Sequence, residues 1–153
     1  MDLYLVQHGE AKPESEDPAR PLTDRGRREV ERVARAAARA GLRVARILHS
    51  GKLRARETAE ILAAGLSPPD GMTELAGLAP MDDPAIARRA VGELTEPALL
   101  VGHLPQLGRF ASLLVVGDAE REIVAFRTGG IVCLGSDDDC WRVKWMLTPE
   151  LVP

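Results

Sequence analysis

The sequence predicts an α/β protein, a three-layer α/β/α sandwich on a mostly parallel central sheet with edge strands contributed by the C-terminal part of the chain. Three features point there. Short apolar runs at 3–6, 44–48 and 98–101 have strand length, and the last is unbroken in the way of a strand covered on both faces. Stretches with apolar residues at helical spacing lie between them, the alternation of a parallel sheet with helices packed on either side. Beyond residue 120 that alternation gives way to short apolar or alternating runs around Gly129, Gly130 and the acidic triplet Asp137, Asp138, Asp139.

The elements follow in order. Residues 3–6 form a buried strand that stops abruptly in the polar loop Gln7, His8, Gly9, Glu10. Thr23 then caps a helix through Arg39, its hydroxyl suited to accept a first-turn N–H. Val30, Val33, Ala34, Ala37 and Ala38 mark the buried face of this helix, and Gly41 its end. A second strand over 44–48 closes at His49 and Ser50, and a second helix spans 53–64, stopped by Gly65. A weak strand at 72–75 precedes a helix over 84–94, capped by Asp83 with Pro84 in the first turn, where a missing N–H is harmless. A strand ends at Gly102 and His103, and a helix over 106–114 follows. Runs at 122–126, 131–134 and 141–146 read as strands, with a hairpin about the acidic turn. Trp141 and Trp145, four apart, are expected to share one face, either in the core or at a dimer contact.

Composition narrows the class of function. The chain has 153 residues, 45% hydrophobic and 28% charged, enough for one domain over 1–153 with a core that needs neither disulfides nor a structural metal. Cys133 and Cys140 flank the acidic turn, and no cysteine and histidine cluster has zinc spacing, so both read as free thiols of a cytoplasmic protein. No run is long enough to span a membrane, and Asp2, Leu3, Tyr4 at the start do not resemble a secretory signal. With 20 basic and 23 acidic side chains interspersed, a broad cationic face for nucleic acid is not expected. A local anion site remains open, because 17 of the 20 basic residues are arginine, whose planar fork suits phosphate.

Three strands end in groups able to meet phosphate: Gln7 and His8 after the first, Ser50 and Arg54 after the second, His103 after the fourth. In a parallel sheet these converge on one rim, where open α/β folds bind their ligands. Two of the three histidines lie there, and a pair with arginine points to function more strongly than a lone histidine does. His49, one residue before Ser50, is turned by strand alternation to the opposite face and is read as structural.

These residues also resemble a family. Gln7, His8, Gly9, Glu10 is similar to the arginine, histidine, glycine motif of the histidine phosphatase superfamily. Arg20, Pro21, Leu22, Thr23 with Gly26 resembles its RPLT..G segment, Ser50 to Thr58 its SxxxRAxxT segment, and Gly102, His103, Leu104, Pro105 its second histidine motif. Order and spacing agree across most of the chain, and the small size is most similar to the SixA-type phosphohistidine phosphatases. The resemblance implies a phosphoglycerate mutase-like fold and a phosphatase acting without metal or cofactor. It implies His8 as nucleophile, Arg54 and His103 as catalytic partners, and Gln7, Gly9, Arg20 and Ser50 at the phosphate. Arg20 has a second reading as half of a surface ion pair with Asp17 or Asp24.

An imidazole nucleophile and surrounding cations are what phosphoryl transfer requires on chemical grounds: a neutral ring attacks phosphorus in line, and donors stabilise charge on the equatorial oxygens. The departure is Gln7, which stands where the family has arginine. Its neutral amide donates a hydrogen bond but not the charged two-pronged contact. The proton donor for the leaving group is open between Glu10 and Glu74, and the need for it is small if the leaving group is an imidazole. The expected activity is therefore hydrolysis of phosphohistidine proteins through phospho-His8. The alternatives are a phosphatase of small phosphorylated metabolites and a phosphate-binding pseudophosphatase without turnover.

Overall fold

The computed structural model describes residues 1–153. Its elements run β1 (Asp2–Gln7), α1 (Asp24–Arg39), β2 (Arg46–His49), α2 (Leu53–Leu66), β3 (Met72–Glu74), α3 (Pro84–Gly92), β4 (Ala98–Gly102), α4 (Gln106–Val116), β5 (Ile131–Asp137) and β6 (Cys140–Leu147), with a final 3₁₀ turn at Pro149–Leu151. The six strands form one sheet in the order β3-β2-β4-β1-β5-β6. The first four strands are parallel; β5 runs antiparallel to β1, and β6 antiparallel to β5. No helix is long and apolar enough to cross a membrane.

Strand alternation sends successive side chains to two separate cores. Tyr4 and Val6 of β1, Ile47 of β2 and Leu99 and Val101 of β4 meet Val30, Val33 and Ala34 of α1 and Ala59 and Leu62 of α2. Leu3, Leu5, Leu48 and Leu100 face the other way, onto Ala87 and Val91 of α3 and Leu107, Phe110 and Ala111 of α4. The chain leaves β1 through α1 toward β2 on one side, and leaves β4 through α4 toward β5 on the other. β1 and β4 are neighbours, so their connections part at a topological switch point, which opens a crevice beyond their carboxyl ends.

Several expectations are corrected. Gly65 lies inside α2, which ends instead at Ser67 in the left-handed region (φ 49°); a Cβ on Gly65 would sit 3.1 Å from Cβ of Ala34, so this glycine serves the close packing of α1 and α2. Ala38 is exposed, one position past the buried stripe that ends at Ala37. Residues 122–126 form no strand. Ile123, Val124 and Phe126 instead pack as irregular chain on the α3/α4 core. The two tryptophans lie on opposite faces: Trp141 packs on the α3/α4 core, whereas the Trp145 ring centroid is 5.9 Å from that of Tyr4. The cause is a register shift in which Cys133 faces Trp145 but Leu134 faces Val143, a bulge that reverses the alternation.

The acidic turn is a two-residue hairpin loop with positive φ at both Asp138 (50°) and Asp139 (61°), a conformation that glycine adopts more readily than aspartate. Asp139→Gly is expected to stabilise the fold by roughly 0.5 kcal/mol. A higher urea midpoint with an unchanged denaturation slope is the expected reading.

Candidate active site

The rim above the carboxyl ends of β1, β2 and β4 gathers the chemistry. Gln7 pairs with Gly102 and His49 with Val101, so the residues that follow each strand emerge together. His8 is anchored by its backbone N–H, which donates to Gly102 O at 3.1 Å. Its ring Nδ1 lies 2.7 Å from Gly9 O. A carbonyl oxygen only accepts, so Nδ1 carries the hydrogen and Nε2 keeps its lone pair. The His103 ring centroid is 4.9 Å from that of His8, and His103 Nε2 is hydrogen-bonded to Ser50 Oγ at 2.6 Å.

One face of α2 organises the loops around these rings. Arg54, Glu57 and Thr58 are three and four apart and so lie side by side on the helix. Thr58 Oγ1 accepts the Gly9 N–H at 3.0 Å and donates to Arg54 O at 2.8 Å. Glu57 Oε1 accepts the Leu22 N–H at 2.9 Å, while its other oxygen takes a charged hydrogen bond from Arg27 at 2.8 Å. These contacts fasten both the His8 loop and the loop bearing Arg20 to the helix bearing Arg54. The fit requires two glycines: a Cβ on Gly9 would lie 2.8 Å from Val30 Cγ2, and one on Gly26 would collide with Glu10 O. Gly26 in the first turn of α1 thus lets the Gly9–Glu10 backbone cross it, which is the physical content of a glycine three residues after Thr23.

Arg20 sits in the left-handed region (φ 51°), a strained conformation for a non-glycine residue. Its Nε donates to Lys12 O at 3.0 Å, and Asp17 accepts from Ala19 N, so the surface ion pair is not formed. Arg54 Nε is buried with no partner in the chain. No acidic residue lies in the first turn of α2 and no side chain caps it, leaving the positive end of the helix dipole at the same rim.

Burial and these cations act together on the histidines. Burial lowers His8 to about 4, with Arg54 and Arg20 adding to the effect against the Gly9 hydrogen bond. Burial, then His8, Arg54, Lys52 and Arg20, lower His103 to about 3. Burial and Arg20 also lower Arg54. No carboxylate figures among the charges acting on any of the three. The result is a cluster of two neutral imidazoles and two arginines that lacks an anion, an arrangement suited to holding a phosphoryl group against a nucleophilic nitrogen.

The structure therefore brings His8, Gly9, Arg20, Ser50, Arg54 and His103 to one rim, with half-buried Gln7 at the end of β1 beneath them. Neither candidate acid figures among the groups acting on His8. Glu10 Oε1 accepts from Thr23 Oγ1 at 2.8 Å, at the start of α1, and exposed Glu74 packs against Gly51 beside His49. His49 is buried and structural, its Nδ1 accepting the Gly51 N–H at 3.1 Å. Thr58 and Glu57 were not among the predicted site residues; their spacing from Arg54 on one helix was the available signal.

Residues 3–82 match the family description "Histidine phosphatase superfamily (branch 1)". The chain belongs to the histidine phosphatase superfamily. Within that superfamily it is similar to an uncharacterized protein of Picosynechococcus sp. at 38% identity, covering 89% of this chain and 86% of that protein. It is also similar to the phosphohistidine phosphatase SixA of Escherichia coli at 26% identity, covering 97% and 94% respectively. A solved structure of the protein histidine phosphatase SixA complexed with tungstate superposes with a TM-score of 0.88 over 99% of each chain, at 26% identity. This superfamily member is accordingly SixA-like in both sequence and fold.

Two predictions follow from the geometry. Thr58→Val keeps the shape but leaves the buried Gly9 N–H without an acceptor, and is expected to cost about 1–3 kcal/mol in chemical denaturation. The histidines set a pH dependence. Unfolded histidines take up protons near pH 6.5, whereas folded His8 and His103 do so only near 4 and 3, so over this interval the unfolded state binds more protons. Stability is full above that interval and falls as pH drops through it. Denaturation midpoints between pH 7.5 and 4.5 are expected to decline less in His8→Gln/His103→Gln than in the parent.

Proposed function

We propose that this protein is a phosphohistidine phosphatase that works through a phosphorylated His8. The observation that carries the reading is the His8 ring itself: Nδ1 is tied to Gly9 O, and Nε2 is neutral and free beside Arg20, Arg54 and His103. Nε2 attacks phosphorus in line, forming a P–N bond while the bond to the substrate imidazole breaks and its electrons return to that ring. Solvent protonates the departing nitrogen. Water then attacks phosphorus, the bond to Nε2 breaks, and inorganic phosphate leaves.

Arg54 and Arg20 supply charge to the equatorial oxygens, His103 and Ser50 supply hydrogen bonds, and Gln7 contributes an amide. Burial and the neighbouring cations hold His103 neutral before substrate arrives. Three points favour phosphohistidine over a phosphate ester. The similarity to SixA is one. The Thr23 hydrogen bond that holds Glu10, with neither Glu10 nor Glu74 among the groups acting on His8, is a second, since an alkoxide needs a proton from the protein far more than an imidazole does. The third is the absence of a helical cover: between Leu66 and Pro84 the chain contains only the three-residue β3, which leaves the rim accessible to another protein and offers little wall for a small metabolite.

Gln7 supports a second reading, a pseudophosphatase that binds phosphate without turnover. Loss of one charge-assisted hydrogen bond costs about 1.5–3 kcal/mol, or roughly one to two powers of ten in rate. Phosphate release from a phosphohistidine peptide is expected from the parent. It should be absent in His8→Ala and faster by roughly one to two powers of ten in Gln7→Arg. An acid-labile phosphoenzyme should accumulate on His8 during turnover. Phosphate affinity in the parent with neither turnover nor phosphoenzyme would establish the binding module instead.

A further inference from the structure

α2 begins with a residue that helix formation does not favour. The N-caps of α1 and α3 are Thr23 and Asp83, whose side chains accept the N–H groups of Gly26 and Ala85. The N-cap of α2 is Lys52, an exposed side chain that accepts nothing and sets a positive charge at the positive end of the helix. Three cations crowd this start: Lys52, Arg54 and Arg56. Arg56 is paired with Glu60 at 3.6 Å, whereas Lys52 and Arg54 form no salt bridge.

The backbone of Lys52 is tied to the rim. Its N–H donates to Ser50 Oγ at 3.3 Å, and the same oxygen lies 2.6 Å from His103 Nε2. After burial, His8 and Arg54, Lys52 is the next group that keeps the His103 ring neutral, ahead of Arg20. The sheet order β2-β4-β1 sets the segments of Ser50, His103 and His8 side by side, so Lys52 borders the rim on the β2 side and Gln7 on the β1 side.

We propose that Lys52 is a further phosphate-binding residue, whose ammonium supplies on the β2 side of the rim the positive charge that Gln7 does not supply on the β1 side. The assignment rests on the rim as a phosphate site and holds equally for a phosphatase and for a binding module. A lysine here weakens the start of α2 in the free protein and becomes favourable when an anion arrives. Its flexible four-carbon stem brings the charge to a phosphoryl oxygen without backbone movement. As a point charge it does not reproduce the two-pronged contact of arginine, so the gain expected from Gln7→Arg stands.

Inorganic phosphate is the probe, with binding read by calorimetry and phosphoramidate hydrolysis measured alongside. Lys52→Met is expected to weaken phosphate binding roughly three- to tenfold at low ionic strength and less at high salt, raising KM more than it lowers kcat. Lys52→Arg is expected to stay within about twofold of the parent, as is Arg56→Met, which removes a paired cation from the same helix. Gln7→Arg/Lys52→Met should return to the parent's affinity or above it. The urea midpoint of Lys52→Met should equal or exceed the parent's, since the change relieves the helix terminus. Unchanged phosphate affinity in Lys52→Met, or equal losses in Lys52→Met and Arg56→Met, would overturn the assignment. So would a lowered midpoint with a loss that Lys52→Arg shares, which marks a structural role. Phosphate binding that Lys52→Met weakens, without turnover in the parent, supports the assignment and overturns the phosphatase reading. A parent that binds no phosphate overturns both.

Discussion

The hydroxyl of Thr58 accepts a hydrogen bond from the Gly9 N–H and returns one to the carbonyl of Arg54, and the geometry of the rim depends on this pair of contacts. Thr58 is completely buried, so neither partner has water as an alternative. One turn of α2 thereby sets the distance between the His8 loop and the Arg54 side chain. Glu57, its neighbour on the helix, does the same for the Arg20 loop through Leu22 N. Segments separated by tens of residues are held in register by one helical face, and Gly9 and Gly26 remove the side chains that would keep them apart.

A group of cations without carboxylates is unfavourable in an empty protein. It is expressed here as histidines held neutral and an arginine with a buried, unpartnered Nε. In the proposed function a phosphate dianion relieves that arrangement on binding. In the proposed mechanism the same depression serves catalysis directly, because a protonated His8 has no lone pair to offer. The acidic residues closest in sequence are committed to structural contacts: Glu10 to Thr23, Glu57 to Leu22 and Arg27. Gln7 removes one further charge from this balance.

The two cores explain why the rim can be held so closely. Each strand of the parallel part delivers alternate side chains to the α1/α2 layer and the α3/α4 layer, so sheet and helices cannot slip without exposing both. The α1/α2 layer carries Arg54 and, through Thr58 and Glu57, fastens the loops of His8 and Arg20. The α3/α4 layer buries the residues of α4 that follow His103, namely Leu107, Phe110 and Ala111. The 122–126 segment was legible as apolar but not as irregular, since its apolar residues are buried by packing on the α3/α4 core rather than by strand pairing.

Much of the architecture was readable from local pattern alone. The order of strands and helices, the Thr23 and Asp83 caps, the hairpin turn and the convergence of His8, Ser50, Arg54 and His103 follow from periodicity, capping chemistry and the parallel rule, all of which act over a few residues or a single sheet. What tertiary structure alone decided are contacts between distant segments. Gly65 reads as a helix stop until Ala34 is placed against it, and Trp141 and Trp145 share a face until a bulge is inserted between them. Arg20 is equally suited to an ion pair or to the rim until its backbone enters the left-handed region. Glu10 reads as a candidate acid until the Thr23 hydroxyl engages its carboxylate. In each case the residue's own chemistry permits both outcomes, and a partner far away in the chain selects one, because burial and hydrogen bonding depend on which groups are neighbours in space.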